Sequence, residues 1–267
     1  MKKLVFISCL CLYLNFTSLL YAQSPAEIIA KTKQAVTELK SVRTEGKTVT
    51  GSIDITYNES LIDYGNKKLF AAEKKGQEVL RSAYISDGIT YMYNGMLEEW
   101  FRFSQDISPI GDVFDKDKLL AQFPDNFEEA GFSVKFLDDE TIGDQVCYLI
   151  ESKVVDLKKA AEFAFKFLDR FVSSQIASLL KENEDLLGDY LETYMSNSET
   201  RLWIAKDSFF IAKVLNRHDQ ATGPDESVSI RVETRYYDFN KPVKIDVPKE
   251  AFDSPMVSAE DLGINLR

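Results

Sequence analysis

The chain has 267 residues, of which 45% are hydrophobic and 28% are charged, and its formal net charge is -11. This composition is typical of a folded globular protein and excludes a disordered chain. The acidic balance also argues against nucleic acid, and against an anionic membrane surface held by charge, because both reward clustered Lys and Arg.

The first 22 residues have the three parts of a secretory signal peptide. Lys2 and Lys3 precede an apolar run from Leu4 to Leu20, and Ala22 supplies the small residue of a cleavage site. The run is short for a membrane-spanning helix. We therefore predict a signal peptide over residues 1–22, cleavage after Ala22 and a periplasmic location. An uncleaved membrane anchor is the alternative.

The cysteine content points to a fold without disulfides. Cys9 and Cys11 leave with the signal peptide, and Cys147 is the only cysteine of the mature chain. Its stability must then come from a sizeable apolar core. Residues 6–9 are a poor lipid-attachment sequence, because they lie very near the start and the apolar run continues past them.

The mature chain opens with a predicted helix and continues mainly as strands. Ser24 and Pro25 form a typical helix start, and the apolar face of this helix extends to Leu39. Residues 49–57 alternate between apolar and polar, which predicts a half-buried strand. We place the turn to the next strand at residues 58–60.

Later hairpins are marked by dipeptides that tolerate positive φ. These are Asp87-Gly88 and Asn94-Gly95, and Gly143-Asp144 marks a further turn. Successive hairpins without helical crossovers predict an antiparallel meander of about ten strands, and an open sheet of that size tends to curl. The predicted fold class is α+β: a large curled antiparallel sheet, or half-open β-barrel, with helices packed in its concave face.

One long helical block, residues 156–195, interrupts the strands. On its first helix the apolar side covers more than half of the circumference and includes Phe163, Phe167 and Phe171. Such a helix needs apolar contacts on two sides. Two interpretations fit: ordinary core wedged into a curled sheet, or a lid over a cavity that takes an apolar ligand.

Patterns for catalysis and metal binding are mostly absent from the sequence. His218 is the only histidine, and we predict it to be solvated in a polar strand end or turn. Cys147 and His218 cannot supply the three or four ligands of a usual zinc site, and no loop has the alternating ligands of a calcium site. No acid, base and nucleophile set can be assembled, so we expect no enzyme, no metal and no cofactor.

Aromatic residues are in surplus. Neighbours on a strand, such as Trp100 and Phe101, point to opposite faces of the sheet, so the aromatics cannot all share one core. The surplus predicts an unusually large concave apolar surface that the protein does not fully fill.

Four stretches carry a family resemblance: YMYNGMLEEW (91–100), CYLIESK (147–153), TRLWIAKDSFFIAKV (200–214) and YYDFNKPVKIDVPKEAF (236–252). Together with the order of elements, they resemble the periplasmic lipoprotein carriers of the LolA, LolB and LppX type. The resemblance covers most of the chain from residue 24 to residue 252. It implies a half-open barrel whose concave face and helical lid enclose a cavity for acyl chains, carried between membranes without catalysis.

The leading hypothesis is a soluble, monomeric periplasmic carrier for lipid or lipoprotein acyl chains, with outer-membrane lipoprotein sorting as one role and a membrane-bound donor or acceptor protein as a partner. Residues 23–267 would form one LolA-like domain with the helical insertion 156–195. The alternative is an envelope protein-interaction module of the same fold with a filled core. For the carrier, the lid residues are Phe163, Phe167 and Phe171, and the wall residues are Trp100, Phe103, Trp203 and Phe210.

Overall fold

The computed structural model describes residues 24–104, 113–121, 123–171, 198–223 and 226–258. Its helices are α1 (Pro25–Thr37), α2 (Lys116–Leu120), α3 (Leu157–Phe171) and α4 (Lys249–Phe252). Its strands are β1 (Ser41–Thr50), β2 (Asp54–Asp63), β3 (Lys68–Lys75), β4 (Glu78–Ser86), β5 (Ile89–Asn94), β6 (Glu99–Ser104), β7 (Phe132–Ile142), β8 (Gln145–Val154), β9 (Glu199–Ala205), β10 (Ile211–Gly223) and β11 (Glu226–Tyr237).

These strands form one sheet of eleven in the order β6-β5-β4-β3-β2-β1-β11-β10-β9-β8-β7. Every neighbouring pair is antiparallel, and the pairing of β1 with β11 joins the two halves of the chain in the middle of the sheet. The sheet is open, with β6 and β7 at its edges. The predicted α+β class with a large curled antiparallel sheet is confirmed.

The edge at β6 is covered by a segment close to the C-terminus. The N–H of Arg102 donates to the carbonyl of Pro255 (3.0 Å), and the N–H of Val257 donates to the carbonyl of Arg102 (2.8 Å). Phe252 of α4 adds an edge-to-face contact with Tyr91, with ring centroids 5.4 Å apart. Covering an edge in this way removes a row of free backbone groups that would otherwise pair with other chains.

The helix α1 begins as its sequence predicts. The Ser24 hydroxyl accepts from the N–H of Glu27 (3.2 Å), and the Glu27 carboxylate accepts from the N–H of Ser24 (3.0 Å), which completes a capping box. Ile28 and Ile29 of this helix are buried against one face of the sheet.

The two faces of the sheet carry separate cores. The inner face is the one on which α1 packs, and its core contains Ile28, Ile29, Ile150, Leu202 and Ile204. The outer face has a second core of Cys147, Leu149, Trp203, Ala205, Ala212 and Leu215. Alternation along each strand produces this division, since consecutive residues point to opposite faces.

Two local predictions are wrong. Residues 58–60 lie inside β2, and the chain turns at residues 51–53, where Gly51 supplies a positive φ of 62°. His218 is not solvated: it is 6% exposed within β10, and burial lowers its pKa although the nearby Asp219 acts in the opposite direction. Both outcomes depend on the strands, because residues 58–60 lie inside β2 and His218 occupies a buried position of β10.

The predicted signal peptide, residues 1–22, and residues 172–197 of the helical block lie outside the described residues. Across the described ranges, no helix has the length and apolar character needed to cross a membrane.

Candidate functional site

A cavity of about 320 Å³ lies over the inner face, between β8–β11 on one side and α3 with the segment 123–132 on the other. Its size is at the lower end of the range of about 300–1,000 Å³ that is typical of ligand pockets. Most of the described lining residues are apolar: Phe123, Pro124, Phe127, Phe132, Phe163, Leu202, Ile211 and Val214.

The polar lining of the cavity carries no formal charge. The described polar residues are Ser152, Thr200, Asn216 and Tyr236. The Thr200 hydroxyl donates to the side-chain oxygen of Asn216 (2.8 Å), so these two groups satisfy one another. Burial raises the pKa of Tyr236 and keeps its phenol neutral. A neutral apolar ligand can therefore enter without leaving a buried charge unpaired.

The start of α3 is fixed to the sheet by a glycine turn. The carbonyl of Gly131 accepts from the N–H groups of Val155 (2.9 Å) and Asp156 (3.1 Å). The Asp156 side chain accepts from the N–H of Lys159 (3.2 Å), and this hydrogen bond is the largest cause of the lowered pKa of Asp156. Ala160 is fully buried, and its small side chain lets the helix lie close to Gly131.

Phe163 is the predicted lid residue that the structure places at the cavity. Its ring meets that of Phe132 edge to face, with centroids 6.0 Å apart. The backbones of Phe167 and Phe171 belong to α3, but their side chains lie outside the described residues. Of the three predicted lid residues, Phe163 is the one whose side chain is described, and it borders the cavity.

The segment 123–132 is held against the opening helix. Lys33 of α1 forms an ion pair with Asp125 (2.8 Å), and the N–H of Phe132 donates to the carbonyl of Phe127 (2.8 Å). Phe123 and Phe127 pack against the inner core that contains Ile28 and Ile29. The opening helix thus supports one wall of the cavity.

The inner face continues from this cavity into a second hollow over β1–β5, with a volume of about 450 Å³. Its lining combines small residues that face one another across the strands with the ion pair of Arg81 and Glu73. The small residues include Thr44, Ser60, Ala71 and Ala83. Thr234 lines this hollow and Tyr236, two residues along β11, lines the cavity. The two spaces therefore neighbour each other on one face of one strand.

Trp203 does not reach the cavity. It is 4% exposed and packs in the outer core, on the face opposite to α1. Its indole Nε1–H donates to Glu140 (2.8 Å), and the Lys213 ammonium lies 4.6 Å from the ring centroid. Its neighbour Leu202 lines the cavity instead. Consecutive residues of a strand point to opposite faces, but the sequence alone does not show which of the two faces borders the cavity.

The other predicted wall residues also lie elsewhere. Trp100 is on the outer face, with its ring 5.3 Å from Tyr93 and 5.9 Å from Tyr84. Phe103 pairs with Thr90 near the β6 edge, and Phe210 stacks on Phe239 at 4.5 Å. None of the four predicted wall residues is among the described residues that line the cavity. The residues that sequence reasoning missed are Phe123, Phe127, Phe132, Leu202, Ile211 and Val214.

The protein is thus an open antiparallel sheet with a neutral apolar cavity between one face of the sheet and the helix α3. No protein-family model and no curated protein sequence matches the chain. Solved structures similar to it include lipoprotein LppX from Mycobacterium tuberculosis, at 14% identity over 84% of this chain and 100% of that chain, with a TM-score of 0.47.

Two further similar structures are a LolA-superfamily protein from Nitrosomonas europaea and MucB. The first shares 14% identity over 87% of this chain and 99% of that chain, with a TM-score of 0.28. The second shares 8% identity over 84% of this chain and 62% of that chain, with a TM-score of 0.43. The solved structures thus include the LolA and LppX types that the sequence resembles, and at these identities the likeness concerns the fold alone.

Proposed function

We propose that this protein is a periplasmic carrier or binding protein for lipid or lipoprotein acyl chains and that it acts without catalysis. The observation that carries this proposal is the cavity lined by Phe132, Phe163, Leu202 and their apolar neighbours, in which no described lining residue is charged. Binding would draw on apolar burial, at about 0.8 kcal/mol per methylene removed from water.

The second hollow gives the cargo a route along the sheet. An acyl chain that enters beside Tyr236 would pass Thr234 and lie over the small side chains of Ala71 and Ala83. Small residues on a sheet face leave room for a ligand to approach the backbone. The proposal therefore assigns the cargo to the inner face and assigns no part of it to the outer face.

Export rests on the basic, apolar and small-residue pattern of residues 1–22. A carrier of this kind collects its cargo from one membrane component and delivers it to another, so a membrane-bound donor or acceptor protein is the partner we propose. Outer-membrane lipoprotein sorting is one process that would use such a carrier.

A bulky side chain placed in the cavity tests the proposal. Ser152 lines the cavity from β8, whereas Ser133 is exposed on β7, opposite Lys153 on the outer face. We expect Ser152→Trp to weaken the binding of a fluorescent fatty acid at least tenfold, because the indole occupies the space of the ligand. The matched Ser133→Trp variant should bind as the wild type does.

Circular dichroism and thermal unfolding establish that both variants fold. If Ser152→Trp is unstable, Val214→Phe fills the same cavity from β10 with a smaller change in volume. Wild-type affinity in a folded cavity-filling variant would contradict the proposal. It would favour the alternative, an envelope protein-interaction module of the same fold without lipid cargo.

A further inference from the structure

The outer face of β10, β11 and β1 carries a basic cluster, although the chain as a whole is acidic. Three cations contact Glu233: Lys213 at 3.0 Å, Arg231 at 3.3 Å and Arg235 at 3.6 Å. Lys47 lies opposite Glu233 in the register of β1 and β11. Burial works against the ionisation of Glu233, but the Lys213 hydrogen bond and the surrounding cations outweigh it and lower the pKa of Glu233.

The fifth member, Arg217, faces a like charge. In the register of β10 and β11 it lies directly opposite Arg231, and both side chains are exposed. Like charges in this relationship destabilise a sheet. Within the part of the chain that the structure describes, neither Arg217 nor Lys47 takes part in an ion pair. Among the described residues, Arg217 and Lys47 are therefore the cations of the cluster that are left available to an anionic ligand.

Three further acids lie near the basic cluster, and two of them pair with cations outside it. Glu199 is opposite Arg217 on β9, but it binds Arg201 (2.7 Å) and Lys153 (3.2 Å). Glu45 is opposite Arg235 and is 3.7 Å from Arg43, and Asp219 follows two residues after Arg217 on β10. Of the cluster's cations, Arg231 and Arg235 are 47% and 63% exposed, whereas Glu233 is 24% exposed. Lys213 is only 14% exposed, so the outward surface is formed by Arg231 and Arg235 together with the exposed Lys47 and Arg217.

Apolar side chains border the basic cluster on β2. Tyr57 pairs with Lys47 in the register and is 48% exposed, and Ile55 pairs with Val49, which in turn lies opposite Arg231. Ile53, in the turn between β1 and β2, is 90% exposed. Basic residues beside an exposed tyrosine and isoleucine match the composition of surfaces that bind at a lipid–water interface.

We propose that the basic cluster docks the protein on a membrane surface rich in anionic phospholipid headgroups, with Ile53 and Tyr57 entering the interfacial layer. Arg and Lys meet the phosphate groups, and the two apolar side chains reach the boundary of the hydrocarbon. An acidic protein surface would satisfy the cations but would leave Ile53 in water. The docking surface is on the face opposite to the cavity, so this inference does not depend on the cargo.

Sedimentation with vesicles tests the docking surface, using the mature chain of residues 23–267. The vesicles contain phosphatidylcholine either alone or with phosphatidylglycerol. We expect binding only to the anionic vesicles, with affinity that falls as salt rises. The double variant Arg217→Gln with Arg231→Gln should bind about thirtyfold more weakly, which corresponds to about 1 kcal/mol per basic residue near an anionic surface.

The control is the double variant Lys244→Gln with Lys249→Gln, which removes the same charge from exposed residues outside the basic cluster. It should sediment as the wild type does. The single variant Ile53→Ser keeps every charge and should also weaken binding. Ser152→Trp should retain vesicle binding, which separates docking from uptake of cargo. Circular dichroism verifies the fold of each variant.

Equal losses in the cluster and control variants would overturn the proposal, as would equal binding to neutral vesicles. Competition by millimolar inorganic phosphate would assign the site to free phosphate instead of a headgroup. Binding to polyglutamate without binding to anionic vesicles would point to an acidic protein partner and would also overturn the proposal.

Discussion

Leu202 and Trp203 are consecutive residues of β9, are 6% and 4% exposed, and lie in different cores on the two faces of the sheet. Leu202 borders the cavity, whereas Trp203 is held on the outer face by its hydrogen bond to Glu140. One strand therefore contributes to both cores, and substitutions at these neighbouring positions should have separable effects.

Replacing Trp203 by Phe should lower stability without affecting cargo. The change removes a hydrogen bond to a carboxylate and weakens the contact of the Lys213 ammonium with the ring, so we expect a loss of about 1–3 kcal/mol in the free energy of unfolding. Urea unfolding gives this value, and titration with a fluorescent fatty acid should give the wild-type affinity. Weaker binding at unchanged stability would contradict this placement and would favour Trp203 as a residue of the cavity wall.

Replacing Phe163 by Asp should abolish retention of an apolar ligand. The substitution removes the ring that meets Phe132 and places a carboxylate beside an apolar cavity, where its charge is poorly solvated. Lys158→Asp introduces the same residue at an exposed position of the same helix and should retain binding. Native mass spectrometry of the proteins purified without detergent compares the bound fractions, and equal fractions would remove α3 from the site.

Two glycines with positive φ provide a matched test of how α3 is anchored. At Gly143 (φ 64°), an added Cβ would meet no atom within 4 Å, so Gly143→Ala should cost only the backbone term of about 1–2 kcal/mol. At Gly131 (φ 84°), the Cβ would lie 2.4 Å from the carbonyl oxygen of Asp156 and 2.7 Å from the nitrogen of Ala160. Gly131→Ala should be the more destabilising and should also weaken cargo binding, as thermal unfolding and ligand titration will show. Equal effects of the two variants would contradict this role of Gly131.

The acid sensitivity of the sheet should depend on Glu151. This side chain is 3% exposed, and its hydrogen bond with Lys135, supported by Lys153, lowers its pKa below the ordinary value of 4.5 although burial opposes the shift. A lowered folded-state pKa stabilises the protein above the unfolded-state pKa, and this contribution is lost as pH falls through the folded-state value.

The stability difference between the wild type and Glu151→Gln should therefore be largest near neutral pH and should shrink below about pH 4.5. Urea unfolding over this pH range measures the difference. Glu162→Gln, at an exposed position of α3, controls for the substitution itself. A difference that stays constant with pH would show that Glu151 acts through packing and not through its charge.

The sequence predicts the elements of the fold well where a local signal is strong. The capping box at Ser24 and the hairpin at Asp87-Gly88, with φ of 55° and 75°, are confirmed. The turn placed at 58–60 is wrong because Gly51 accommodates the reversal of the chain instead. Turn residues inside a polar strand resemble turn residues between strands, and only pairing across the sheet separates the two cases.

The site is harder to predict because it depends on which face each strand residue occupies. Trp100 and Trp203 are predicted wall residues, yet the register assigns both to the outer face. Phe163 could be identified because a helical wheel shows one face directly. The net charge of the chain does not reveal the basic cluster around Glu233, because the cluster forms from β1, β10 and β11, which include strands that are distant in sequence.

Native mass spectrometry of the mature chain, purified without detergent after export, tests the central claim most directly. We predict a stoichiometric co-purifying lipid in the wild type, released by solvent extraction and absent from Ser152→Trp. A ligand-free mass, together with no uptake of a fluorescent fatty acid, would contradict the carrier function and would mean that the cavity aromatics serve only as core.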